Sequence, residues 1–201
     1  LQSTIREFDI PIDPLVRLVE ANRMDQTITR HRTYRDLEFY CQHSANPVGR
    51  LVLYVFGYRD EERQRLSDFT CTALQMANFW QDVSRDYAMG RIYLPLEDME
   101  RFGYPEEDLA QGEANDAFRA LIRFEVARTR ELFREGLKLV ATLEGHIKLD
   151  VALFTMGGMH ILNSIERQEY DVLRRRPTLS KPRKLWLMAT TMARMTLRGQ
   201  L

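Results

Sequence analysis

Four polar side chains, Gln75, Asn78, Asp82 and Asp86, recur at a spacing that chemistry can use. On a helix advancing roughly 100° per residue they fall within an arc of about 80°. Leu74, Met76, Ala77, Phe79, Trp80 and Val83 lie among them, so this helix reads as buried on several sides. Two amides and two carboxylates should not line up in such a place without partners, because burying unpaired charge is costly. Asp82 and Asp86 are i,i+4 neighbours with Cβ atoms about 6 Å apart. Like charges that close repel unless a cation lies between or beside them. Magnesium takes carboxylate oxygens, keeps some of its waters and commonly completes its shell with substrate phosphate. The pair therefore has the form of half a diphosphate–magnesium clamp, with Gln75 and Asn78 placed to orient substrate or metal-bound water. A solvated acidic face has the same spacing, and the pair alone does not separate the two.

The helix carrying this stripe is expected from about Ser67 to Tyr87. Before it, Asp13-Pro14 reads as a cap followed by proline at the first helical position, with Leu15, Leu18 and Val19 as an apolar face. Thr33-Tyr34-Arg35-Asp36 has the pattern of a capping box with Asp in the Glu position, and Pro47 should kink or split the helix it opens. A loop is expected from Ala88 to Asp108, since it holds Gly90, Pro95, Gly103 and Pro105. Helical periodicity then runs over about Ala114–Leu143 and Ile147–Leu173, and Pro182 starts a last amphipathic segment. No segment reads as a strand, and no linker or repeat divides the chain. The expected architecture is a single all-α domain, residues 1–201, of six or seven helices.

Composition removes several function classes. Formal net charge is zero, so no global field draws the chain to nucleic acid. No apolar run is long enough to span a bilayer. Cys41 and Cys71 sit in apolar patterns and form no metal or redox motif, as expected of buried reduced thiols in a cytoplasmic protein. His31, His43, His146 and His160 show no zinc spacing. Arg174-Arg175-Arg176 with Lys181, Arg183 and Lys184 reads as a solvated helix end, the functional alternative being contact with diphosphate or an anionic membrane surface. Trp186 and the methionines around it read as core rather than as a membrane anchor.

The run from Gln75 to Pro95, QMANFWQDVSRDYAMGRIYLP, resembles the second aspartate-rich block of the squalene/phytoene synthase family, including the Gly90-Arg91-Ile92-Tyr93-Leu94-Pro95 continuation. Tyr40-Cys41-Gln42-His43-Ser44-Ala45-Asn46-Pro47-Val48-Gly49 resembles an upstream helix of that family. Asp25-Gln26 and the stretch from Glu166 to Leu173 also fit family positions. The resemblance implies an all-α isoprenoid synthase-type helical bundle around a central cavity. It implies Mg²⁺ held by two aspartate-rich motifs, of which Asp82 and Asp86 are the second, with Gln75 and Asn78 beside it. It gives Tyr40 a part in proton handling or cation stabilisation, places Ala45 and Gly49 where the isoprenoid chain passes, and puts Arg91 and Tyr93 in a loop closing over the diphosphate.

Three departures shape the expectation. No match to the first aspartate-rich motif occurs, so the chain corresponds to about the C-terminal two-thirds of the family domain. Arg85 stands where the family often has an acidic residue, and Gly158 where a late helix often carries tyrosine. The wording around Ser44–Arg50 and Asn78–Val83 is most similar to hydroxysqualene synthases of hopanoid-making bacteria. That resemblance implies conversion of presqualene diphosphate and water to hydroxysqualene and diphosphate, with water rather than NADPH hydride ending the reaction. Presqualene diphosphate synthesis, phytoene or squalene synthesis, and a non-catalytic assembly role for the same fold stay open as alternatives. The implied partners are a prenyl diphosphate substrate and companion enzymes of squalene synthesis, with room for peripheral contact at an inner membrane.

Overall fold

The computed structural model describes residues 1–178 and 180–198. Among these the helices are α1 (Gln2–Glu7), α2 (Ile12–Met24), α3 (Tyr34–Ser44), α4 (Asn46–Val55) and α5 (Glu61–Ala88). They continue with α6 (Leu96–Arg101), α7 (Glu106–Gln111), α8 (Asp116–Thr142), α9 (Gly145–Arg167) and α10 (Lys181–Arg198). The bundle is all-α, as the periodicity requires. It has more helices than the six or seven expected: the 88–108 stretch contains α6 and the start of α7, and α1 is a further short helix.

Local chemistry sets several boundaries. The capping box forms as read: Thr33 Oγ1 accepts from the Asp36 amide at 3.1 Å and Asp36 Oδ2 from the Thr33 amide at 2.9 Å. Proline removes a backbone donor, and with Pro47 in its first turn α4 starts afresh, leaving Ala45 as the joint between α3 and α4. Asp13 does not cap α2, which begins at Ile12 with Pro14 inside its first turn. α5 begins about two turns before the expected Ser67, because the Asp60 side chain accepts from the Arg63 amide and caps a first turn that carries no apolar residue.

Two long helices, α5 and α8, make the spine. Trp80 is fully buried between them and its Nε1 donates to Thr129 Oγ1 at 2.8 Å. A Cβ on Gly136 would lie 2.8 Å from the Thr70 amide nitrogen, so the two backbones meet where α8 has no side chain. α9 covers this pair and α10 packs on α9. Trp186 is 59% exposed with Met188 and Met192 also outward, which corrects the reading of these residues as core: α10 presents them to solvent. The side chains of Lys181, Arg183 and Lys184 lie outside the described residues.

Candidate active site

The stripe on α5 lies partly in the interior. Asp82 is 9% exposed and Asp86 half-buried, while Gln75 is half-buried and Asn78 open to solvent. A buried carboxylate needs positive charge, and Arg176, from the segment after α9, supplies it. Its Nε meets Asp82 Oδ1 at 2.5 Å and its Nη2 meets Oδ2 at 2.8 Å, a two-pronged contact. Arg85 approaches the same carboxylate at 3.6 Å. Gln81 Nε2 donates to the Pro177 carbonyl and ties the same segment to α5. One turn on, burial foremost and then repulsion from Asp82 push the Asp86 carboxyl up to about 6, against the pull of Arg91 and Arg176.

These observations test the stripe as a metal site. Arg176 already answers the charge of Asp82, and Asp86 resists ionising beside it unless more positive charge arrives. A hard cation bound through oxygen meets that demand, so the pair fits magnesium. Among the described residues no group of three or more His, Cys, Asp or Glu is arranged to hold a metal. Any cation here would complete its shell with water and substrate oxygens.

Beside the stripe stands an aromatic wall. Phe79, one turn before Asp82, stacks on Tyr93 with ring centroids 3.9 Å apart, and Tyr40 of α3 lies 6.0 Å from Tyr93 and 6.3 Å from Phe79. Tyr93 is brought there by backbone pairing between the loop after α2 and the chain after α5. The Ile92 amide donates to the Thr29 carbonyl at 2.9 Å and the Leu96 amide to the His31 carbonyl at 3.0 Å. Arg30 locks the junction, donating to the Gly90 carbonyl at 2.7 Å and pairing with Glu106 at 2.5 Å. Phe79, Val83, Asp86, Arg91, Tyr93 and neighbouring aliphatic residues line a narrow crevice with a volume of about 10 Å³.

The structure thus brings Asp86, Arg91 and Tyr93 around one crevice, with Asp82 and Tyr40 adjoining it. Ala45 is the joint between α3 and α4, and a Cβ on Gly49 would run into Ser67 Oγ and Cys71 Sγ, so this glycine lets α4 approach α5. Gly158 is likewise filled from outside, by Phe133 and Leu74, whereas the Cβ direction of Gly157 is open. Arg176, expected with its neighbours to be part of a solvated helix end, is instead partly buried against Asp82. Its signal was the arginine run, and what distinguishes it from exposed Arg174 and Arg175 is a partner 94 positions away. Asp25, noted only as fitting the family, receives the Tyr40 hydroxyl at 2.9 Å.

Comparison with known proteins agrees with this geometry. The family described as squalene/phytoene synthase matches residues 1–183. The chain is 33% identical to a 15-cis-phytoene synthase of Synechocystis over 94% of its own length and 61% of the relative's. Among solved structures it is similar to squalene synthase HpnC from Alicyclobacillus acidocaldarius, with 47% identity and a TM-score of 0.82, covering 84% of this chain and 64% of that one. It also resembles a dehydrosqualene synthase solved with ligand, at 26% identity and a TM-score of 0.84, over 92% and 66% of the two chains. The chain therefore spans a little over three-fifths of the Synechocystis relative's length. With a family match over nearly all of its residues and the paired aspartates under an aromatic wall, this chain belongs to the squalene/phytoene synthase family.

Proposed function

We propose that this protein is a magnesium-dependent isoprenoid diphosphate enzyme that converts presqualene diphosphate and water to hydroxysqualene and diphosphate. The observation that carries the reading is a charge-demanding aspartate pair set beside a wall of aromatic rings. Family membership supports prenyl diphosphate chemistry in general. The wording around Ser44–Arg50 and Asn78–Val83, together with the likeness to squalene synthase HpnC, supports this branch.

Asp82 and Asp86 are the residues that would hold the ion, which when bound supplies the positive charge that eases departure of the diphosphate. Arg91, next to Asp86 in the crevice, adds a guanidinium suited to phosphate oxygens. Phe79, Tyr93 and Tyr40 offer electron-rich ring faces to a carbocation and exclude bulk water. Burial raises the Tyr40 hydroxyl far above its ordinary range, so it stays neutral and holds its proton.

The test uses the full natural chain with presqualene diphosphate as sole isoprenoid, without NADPH, in labelled water. Hydroxysqualene carrying the label is expected, with turnover falling at least about 10²-fold in Asp82→Asn and in Asp86→Asn. Full turnover in both variants removes the assignment. In a parallel assay supplied only with smaller prenyl diphosphates, formation of presqualene diphosphate, with no hydroxysqualene from the first assay, moves it to the earlier condensation. One observation favours a second, non-catalytic reading: Arg176 already saturates Asp82, as a purely structural clasp would. That reading predicts no isoprenoid product from either substrate.

A further inference from the structure

Asp25 is the last residue before the loop that leaves α2, its amide still bonded to the Ala21 carbonyl at 3.0 Å. It touches two residues of the site through two different atoms. Its Oδ1 accepts the Tyr40 hydroxyl at 2.9 Å, and its backbone carbonyl accepts Arg91 Nη2 at 3.2 Å. The hydroxyls of Tyr40 and Tyr93 also interact, their rings lying 6.0 Å apart, and the His31 ring packs 5.5 Å away. His31 is buried and its imidazole is pushed toward the neutral form by that burial. Asp25 is therefore the anionic acceptor that the Tyr40 hydroxyl actually meets.

A phenol has one hydrogen to give. With that hydrogen committed to a carboxylate, a bond of the stronger, charge-assisted kind, the oxygen offers its remaining neighbours lone pairs alone. We propose that Asp25 is a positioning residue for Tyr40: it fixes the rotation of the hydroxyl so that the phenol acts as an acceptor toward positive charge in the crevice, never as a donor to the diphosphate. The inference rests on the prenyl diphosphate chemistry proposed above. The carboxylate of Asp25 does its work through Tyr40. Truncating its side chain leaves the carbonyl that holds Arg91 in place, so the effect on Tyr40 can be isolated.

The experiment compares Asp25→Ala, Asp25→Asn, Tyr40→Phe and the Asp25→Ala/Tyr40→Phe double variant of the full natural chain, labelled with ¹³Cζ-tyrosine. Asp25→Ala is expected to lower kcat by about 10²-fold with KM changed less than about twofold. Asp25→Asn, which keeps an acceptor oxygen of the same size, recovers part of that loss. Added to Tyr40→Phe, the Asp25→Ala substitution costs nothing further, because paired residues do not act additively. The Tyr40 ¹³Cζ resonance, identified by its absence in Tyr40→Phe, shifts in Asp25→Ala. Multiplicative losses in the double variant, or an unmoved resonance, overturn the inference while the proposed reaction stands. A wild type that turns over no prenyl diphosphate overturns both.

Discussion

Both carboxylate oxygens of Asp82 are taken by Arg176, a residue 94 positions further along the chain. The aspartate stripe was legible in the sequence because its spacing is local and its surroundings are apolar. The arginine that answers it was not, because the last residue of an arginine run looks like its exposed neighbours until the fold carries it across. The two side chains are 12% and 29% exposed, so the pair is partly desolvated and neither partner is easily orphaned. Arg176→Ala should lower stability by about 2 kcal/mol, read as a drop in Tm. Saturating Mg²⁺ should return part of that loss in the variant while raising the wild type less, since the ion restores charge where the guanidinium was removed. Equal Mg²⁺ responses in the two proteins would show that the ion and Arg176 do not share Asp82.

At the scale of elements, α6 is held to α8 by a buried charge cluster that has no part in the proposed reaction. Arg128 of α8 donates to Asp98 of α6 at 3.0 Å and lies over the Tyr34 ring at 3.9 Å. Glu125, one turn earlier, is fully buried with Arg128 Nη1 at 3.7 Å. Burial, foremost, and the nearby carboxylates of Asp98 and Glu97 push its carboxyl up to about 8 in spite of Arg128. The unfolded chain releases this proton near the ordinary value of 4.5, whereas the folded protein keeps it to about 8. Folding stability therefore falls as pH rises through that window. Glu125→Gln should leave Tm nearly unchanged at pH 5 and raise stability by on the order of 3 kcal/mol at pH 8. A variant no more stable than wild type at pH 8 would contradict this. Neither α6 nor this cluster could be read in advance. α6 is six residues long in a stretch punctuated by proline and glycine, and Glu125 and Arg128 sit at a spacing shared by any solvated helical pair. By contrast, the Thr33 box and the break at Pro47 depend on neighbours along the chain and came out as read.

At the scale of the whole molecule, two rows of aliphatic side chains remain outward. They are Ile12, Val16 and Val19 on α2, and Val48, Val52 and Val55 on α4. Exposed apolar rows of this kind are typical of surfaces that another element or a partner covers, and the chain covers 61% of the length of its Synechocystis relative. Among the described residues no helix is long and apolar enough to cross a membrane. Ion binding by Asp82 and Asp86 is open to several measurements. The most direct one is a Mn²⁺ titration followed by electron paramagnetic resonance in the presence of inorganic diphosphate, using Mn²⁺ as a visible stand-in for magnesium. Saturable binding is predicted, tightened by diphosphate and weakened at least about tenfold in Asp82→Asn and in Asp86→Asn. Mn²⁺ binding of equal strength in the wild type and both variants would contradict the claim that these two aspartates hold the ion.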